Sequence, residues 1–567
     1  MSGTSGFADA GRWNARMGDA LLAALVGLAA FLEIVGPRVL DVNNMLWLTT
    51  QKDTFTHYLG WEFFRRAPFT WPPGLNPAYG LQFSSSILFS DSIPLLAIPL
   101  KLVSPLLPET FQYTGWWTLS CFVLQAYFAV RLAGMMTGDV VVKLGLAALL
   151  AFAPPFLWRL EVHFSLIGHW LVLAAIYLYF TPRRAHRSLA WGALLTASAL
   201  VHTYILAMCL PIWLASLVAR RHDRIGSARW PVELTAILAA VLAALWVAGF
   251  FPLRSSLLTF GYGMFSLNLL ALINPNGSFT DAWSWSSVLP MLPQGGGQYE
   301  GFNYLGLGGL VALILALPIA WLDRARPGGR GLLPLGLAAM ALTLFAVSPM
   351  VTVADIQAVI PMPDFIYTMA GSVRASGRFF WPVFYLVLLA AVWLIHRRFG
   401  SAFTGPLLLV LAALQIYDTY PGWSSFRGKF EMNGTVWQNS LSDPRLASVA
   451  THYSAVRTLP AANQVPGWDQ IAYFALRNHL PTDTVYLARP NDAAYAGYDV
   501  ALDQRIASHA LEQDSIYFVA ADHVSKVEAS MTTDDAMFKV GDFSIFAPGW
   551  KRFGEATDLP VIKGAVP

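Results

Sequence analysis

A chain of 567 residues that is 56% hydrophobic and only 13% charged, with a mean hydropathy of +0.50, has too little polar surface to cover a water-soluble globule of its size. Its net charge of +3 is small and scattered, which argues against nucleic acid or an acidic macromolecule as partner. The two cysteines, Cys121 and Cys209, lie in apolar runs, read as small buried hydrophobes and imply no disulfide framework.

The chain starts with Arg12 and Arg16 ahead of an apolar run at 20–32. The run is long and no small-residue cleavage site follows it, which fits an uncleaved signal anchor with a cytoplasmic start. Apolar spans follow from there. Together they lie near 18–36, 112–133, 140–158, 164–181, 188–201, 203–218, 231–251, 304–322, 332–350, 379–397 and 401–418. Most approach the 18 to 22 residues that cross about 30 Å of hydrocarbon, though the pair at 188–218 is short. They do not alternate as the strands of an outer-membrane barrel would.

Basic residues crowd the short loops: Arg183, Arg184 and Arg187; Arg220, Arg221, Arg224 and Arg229; Arg324, Arg326 and Arg330; Arg397 and Arg398. The positive-inside bias makes these loops cytoplasmic and puts 37–111, 252–303, 351–378 and 419–567 outside. The apolar stretch 90–101, broken by Pro94 and Pro99, reads either as a crossing or as a re-entrant or interfacial helix, so the expected count is eleven to thirteen spans. The fold class is an α-helical polytopic membrane protein with a C-terminal extracytoplasmic α/β domain. A membrane domain covers 1–420, and a soluble domain of ordinary charge density covers 421–567. The latter has strand-like runs at 484–488, 515–519 and 543–547, and a helical pattern through Trp468, Ile471, Ala472, Phe474 and Ala475.

The first outer segment, 37–111, carries the densest chemistry. Asp53 and His57 are four apart and share a helix face, and Glu62 is expected about one turn further on, giving an acid, an imidazole and a second acid, with Arg65, Arg66 and Asp91 beyond. The bland alternative is an interfacial helix whose Tyr58, Trp61, Phe63 and Phe64 mark the headgroup level. Arg159, Glu161, His163, His169 and His202 collect at span ends on the same outer level. No spacing among these is a diagnostic metal-ligand signature, so no metal is assigned, although a divalent ion stays open as a cofactor. Arg374 and Arg378, four apart on an outer segment against the positive-inside bias, offer guanidinium forks suited to a phosphate. The glycine-rich loop 295–303, with Tyr299 and Glu300, reads as a substrate-covering loop or as a plain connector.

The motifs Asp53-Thr54-Phe55-Thr56-His57-Tyr58, Phe89-Ser90-Asp91-Ser92-Ile93-Pro94-Leu95 and Arg374-Ala375-Ser376-Gly377-Arg378 are similar to those of an uncharacterised bacterial branch of the GT-C superfamily. The layout of residues 18–420 resembles that superfamily of polytopic glycosyltransferases. Many members carry an acidic pair at the catalytic position; here Asp53 is followed by Thr54, and Asp41 is the other candidate. The resemblance implies transfer of a sugar from a polyprenyl-phosphate-linked donor to a cell-envelope glycan or lipid acceptor at the outer face of a bacterial inner membrane. In that scheme Asp53, His57 and Asp91 are catalytic, with Asp53 as general base. Arg374, Arg378, Arg159, His163 and His169 face the carrier phosphate, and Glu62, Glu161, His202, Tyr299 and Glu300 face the acceptor. The competing class is a transporter or flippase for a lipid-linked or anionic solute, which would use the same arginines and acids along a translocation path.

Overall fold

The computed structural model describes residues 4–181, 187–220, 230–251, 262–278, 283–322, 331–554 and 558–563. Arg183, Arg184, Arg221, Arg224, Arg229, Arg324, Arg326 and Arg330, which carry most of the loop-charge reading, lie outside them. The chain divides into two compact units, each assembled from separated stretches. One comprises Met1–Val42, Tyr113–Leu242 and Leu258–Met432; the other comprises Asn43–Gln112, Ala243–Leu257 and Asn433–Pro567. The polar segment after the first apolar helix therefore shares its unit with the C-terminal residues.

The first unit is helical. Among the described residues five helical stretches are long and apolar enough to cross a membrane: Arg16–Ile34, Val140–Trp158, Thr203–Arg220, Trp230–Val247 and Ser376–Ser424. Four shorter apolar ones are Phe164–Phe180, Arg187–Val201, Gly306–Leu322 and Leu332–Val347. On this count the chain is a multi-pass membrane protein.

The spans expected at 379–397 and 401–418 form two helices that meet at a kink at Gly400, φ +72°, within Trp381–Ser424, and the span expected at 112–133 forms the helix Thr114–Ala133. The stretch 90–101 yields only the helix Pro94–Leu102, about 14 Å long at 1.5 Å per residue and under half a bilayer core. Helices approach closely along small residues. A Cβ on Gly27 would lie 2.6 Å from the Cα of Val123, and one on Gly145 2.5 Å from the Cβ of Leu408. Two polar pairs lie inside this unit: Gln125 donates to the Tyr385 hydroxyl at 2.9 Å, and Lys143 meets Asp19 at 2.6 Å. Cys121 and Cys209 are buried and unbridged, as expected. A small antiparallel hairpin, β1 (Met350–Val353) with β2 (Ile356–Val359), precedes the Arg374 segment.

The second unit centres on a five-stranded sheet of β3 (Ala455–Leu459), β4 (Ser515–Val519), β5 (Ala536–Val540), β6 (Phe543–Ala547) and β7 (Val561–Lys563), in the order β3-β4-β6-β5-β7. Only β3 and β4 pair in parallel. Every residue of β4 is buried because both faces are covered. The helix Asp492–Ala507 brings Tyr495, Leu502 and Ile506 to the face of Tyr517 and Val519, while Phe474 of the helix Trp468–Arg477 meets Phe518 at 5.8 Å. Phe83 from the early segment stacks on Tyr495 at 4.0 Å within the same core. The strand-like run 484–488 does not join the sheet; it makes only a single bridge, Val485 to Asn463.

Asp483, just before that run, is fully buried and accepts the Thr458 N–H at 3.0 Å, with Arg457 at 4.0 Å. Burial pushes its carboxyl up to about 7 despite Arg457. A raised acid favours the folded state below its unfolded value near 4, and this contribution is lost as the pH climbs through 7. Asp483→Asn keeps the acceptor and removes the proton. It is expected to flatten the decline in stability between pH 4 and 7, a decline of at most about 4 kcal/mol. Unfolding of the full chain in detergent across that pH range checks it, and an unchanged slope refutes the assignment.

Candidate functional site

The helix Lys52–Arg66 forms despite weak apolar patterning because its ends suit the helix dipole. Asp53 lies in the first turn, Arg65 and Arg66 lie in the last, and Ala67-Pro68 stops it. Residues 54–65 are all buried. Phe55 packs against Trp437 (5.1 Å) and Tyr473 (5.8 Å), Phe63 stacks on Tyr79 (5.0 Å), and the Trp61 indole donates to the Phe111 carbonyl at 2.9 Å. This is a packed internal element of the second unit.

Asp53 and His57 occur on this helix one turn apart, and Asp53 is half-buried. Glu62 does not join them. At about 100° per residue it lies opposite Asp53. Its fully buried carboxylate is instead held by Arg65 (3.1 Å), Arg66 (2.8 Å) and the Phe111 N–H (3.3 Å). It is the counter-ion of the helix's own arginines, and those contacts occupy it away from any acceptor.

His57 is the unusual member. Its side chain is buried, neither ring nitrogen has a hydrogen-bond partner among the described residues, and burial lowers its pKa to about 3, so it is neutral at pH 7. A ring nitrogen of His57 lies within 4.8 Å of an Asp91 carboxylate oxygen. The Ser92 hydroxyl donates to the His57 carbonyl at 2.7 Å and lies 2.9 Å from the Ser90 hydroxyl. Asp91 and Ile93 both adopt positive φ, +54° and +51°, a conformation that costs non-glycine residues of order 1 kcal/mol or more and concentrates at functional turns. Native interiors rarely leave polar atoms unpartnered, at about 1–3 kcal/mol each, and this buried imidazole beside a carboxylate is such a case.

In the first unit the expected phosphate site is arranged differently. Arg378 grips Glu300 with two hydrogen bonds, Nε at 2.9 Å and Nη2 at 2.6 Å, and Arg159 reaches the same carboxylate at 3.0 Å. Burial pushes the Glu300 carboxyl up, but the two guanidinium groups outweigh it and hold it well below the usual carboxylate range. Arg159 and Arg378, expected to face phosphate, are thus committed to an internal ion triad, and so is Glu300, expected at the acceptor. His163 stands 3.9 Å from Glu300. Glu300 and Gln298 pin the glycine-rich loop; Gln298 accepts from Asn268 at 2.8 Å and from the Gly295 N–H at 3.0 Å, so this loop is anchored where a covering loop was one expectation. Tyr299 is half-buried between Phe265 and Trp158.

His169 is fully enclosed, bonded through Nδ1 to the Tyr385 hydroxyl at 2.8 Å and packed on Trp381 at 4.1 Å, which removes it from reach of a carrier phosphate. His202 accepts the Tyr204 N–H at 3.0 Å where two helices meet. The Glu161 carboxyl is pushed up by burial against the pull of Lys429 and Arg159. Lys429 donates to the carbonyls of Leu160 (2.5 Å) and Glu161 (2.6 Å) and so fixes that turn.

Arg374 is the exception. It lies outside the short 3-10 helix Ser376–Phe380, is exposed, and makes no ion pair among the described residues; its guanidinium rests 4.6 Å from the Phe265 ring centre. Arg374 and Arg378 therefore do not act as paired forks on one helix turn. Thr56, Tyr79 and Ser92 also hydrogen-bond around the His57 turn. Thr56 and Ser92 sit inside the quoted motifs, whereas Tyr79 carries no local signal.

The family described as "Domain of unknown function (DUF6311)" matches residues 24–420, and "DUF6311 C-terminal domain" matches 445–548. No curated protein matches. Among solved structures, the archaeal oligosaccharyltransferase AglB from Archaeoglobus fulgidus, in complex with an inhibitory peptide and a dolichol-phosphate, is similar at 10% identity, with 96% of this chain and 75% of that chain covered and a TM-score of 0.38.

Proposed function

Since this chain belongs to the DUF6311 family, whose function is unknown, its activity has to be argued from its own residues, and we propose that it is a membrane glycosyltransferase. In this reading it moves a sugar from a polyprenyl-phosphate-linked donor to a glycan or lipid acceptor of the cell envelope, on the periplasmic face of a bacterial inner membrane. The observation that carries the reading is the buried, unpartnered His57 imidazole beside Asp91, on a helix that presents the half-buried Asp53 one turn away. The acceptor hydroxyl attacks the anomeric carbon. Its proton passes to the Asp53 carboxylate, the bond from the anomeric carbon to the phosphate oxygen breaks, and the lipid phosphate leaves with the electron pair. Negative charge grows on that phosphate and calls for a cation already in place. Arg374 is proposed for this role, because Arg159 and Arg378 already share Glu300.

Arg374→Ala is expected to weaken polyprenyl-phosphate binding roughly ten- to a hundredfold, the cost of a lost charge-assisted contact of about 1.5–3 kcal/mol. Arg374→Lys should restore it only in part, since an ammonium lacks the planar fork. Equal binding by wild type and Arg374→Ala in a fluorescent-lipid titration would remove Arg374 from the scheme. The activity itself is tested on detergent-solubilised protein, where no second compartment exists. Conversion of a polyprenyl-linked sugar and an acceptor to product is expected. Lipid binding with the glycosidic bond left intact, over several donor sugars, would move the reading to transport.

A further inference from the structure

The segment 482–488 is held on one side by β3, through the Thr482–Val456 bridge and Asp483, and by Asn463 and Gln464; its other contacts in the second unit reach both sides of the His57–Asp91 pair. The Tyr486 carbonyl accepts the Thr56 hydroxyl at 2.7 Å, next to His57. The Ala488 N–H donates to the Phe89 carbonyl at 3.0 Å, two residues before Asp91. The Tyr79 hydroxyl stands 3.4 Å from both the Thr56 hydroxyl and the Tyr486 N–H, while Thr482 bonds the Ala78 carbonyl at 2.9 Å and the Gly80 N–H at 2.8 Å. The other edge of the segment is fixed by Asn463, whose Oδ1 accepts the Leu487 N–H at 2.9 Å and whose Nδ2 donates to the Leu487 carbonyl at 3.2 Å. The Gln464 N–H adds a bond to the Val485 carbonyl at 2.8 Å.

A threonine inside a helix ordinarily turns its hydroxyl back to a carbonyl three or four residues earlier. Thr54 does so toward Gln51 at 2.7 Å. Thr56 instead bonds a carbonyl 430 residues further along the chain. That bond contributes nothing to the helix's own ladder, but it fixes the rotation of the helix at the residue before His57.

We propose that residues 482–488 are a positioning strap for His57 and Asp91, with Thr56 and Asn463 as its positioning residues. This assigns the C-terminal residues a role in the chemistry and rests, for its kinetic consequence, on the glycosyltransferase reading. None of these groups touches the reacting atoms. They act by holding the imidazole and the carboxylate in fixed orientation, where a displacement near 1 Å is enough to lose much of the rate.

The test has two arms on the full-length detergent-solubilised protein. In the first, carbethoxylation of individual histidines by diethyl pyrocarbonate is followed by peptide mass spectrometry, which needs no turnover. Thr56→Val and Asn463→Ala are each expected to speed labelling of His57 about two- to tenfold, the range expected for one lost hydrogen bond. Thr56→Ser should restore protection, and His452, packed elsewhere in the unit on Phe553, should keep its wild-type rate. Labelling of His57 at the wild-type rate in both variants, or equal acceleration of His57 and His452, overturns the strap. In the second arm, where wild type turns over, the same variants should lower kcat with KM for the lipid-linked donor unchanged, and Thr56→Ser should recover it. Raised KM with kcat unchanged also overturns the strap. Absence of turnover in wild type alongside the expected labelling pattern sinks the glycosyltransferase reading and leaves the strap supported.

Discussion

Asp53→Asn is expected to lower sugar transfer by about 10²- to 10⁴-fold, the usual contribution of a positioned proton acceptor, while expression and thermal midpoint stay at wild-type values. The amide keeps the size and hydrogen-bonding capacity of the carboxylate and cannot take the acceptor's proton. The half-buried position of Asp53 in the first turn of its helix makes a large folding defect unexpected. kcat should fall with kcat/KM in equal measure, because the interaction is made only as the proton moves. Full activity of Asp53→Asn together with a dead Asp91→Asn or Asp41→Asn would shift the base to the other carboxylate.

Glu300→Ala is expected to cost about 3–5 kcal/mol of stability, since it strands two buried guanidinium groups that now share one carboxylate. The fractional exposures are 1% for the Arg159 side chain, 8% for Arg378 and 10% for Glu300, so water cannot replace the lost partner without local opening. Glu300→Gln keeps hydrogen-bond acceptance by one oxygen but not the charge, and should fall between. Replacing the whole triad by apolar residues, Arg159→Met with Glu300→Leu and Arg378→Met, should recover much of the loss, because no charge is then left buried and unpaired. Thermal unfolding of the four proteins in one detergent checks the order. A Glu300→Ala protein as stable as wild type would mean the triad is hydrated in solution.

The contrast between Glu62 and Glu300 shows what sequence can and cannot carry. Glu62 has Arg65 and Arg66 at i+3 and i+4, the spacing at which helical side chains meet, so its pairing is legible in the sequence. Glu300 finds its partners 141 and 78 residues away, and no local period records such a meeting. Helical spans are readable from apolar runs, and β4 and β6 from their short runs of β-branched and aromatic residues. The segment 484–488 has strand composition too. Several of its hydrogen bonds go to the side chains of Thr56 and Asn463, and composition cannot distinguish a ladder partner from a hydroxyl or an amide. The His57–Asp91 approach depends on the positive-φ turn at 91–93, which nothing in Ser-Asp-Ser-Ile announces.

The discontinuity of the second unit sets a clock on its birth. Residues 43–112 leave the ribosome about 320 residues ahead of 433–567, with which they share a unit, and at about 5–20 residues per second that interval is roughly 16 to 64 s. During it the helix Lys52–Arg66 must wait without Trp437, Tyr473 and the Tyr486 carbonyl, exposing Phe55 and an unbonded Thr56. A chain stopped at residue 432 would stay in that state, so nascent protein is at its most vulnerable to aggregation and proteolysis through the middle of its own synthesis, before the last quarter of the chain supplies those partners.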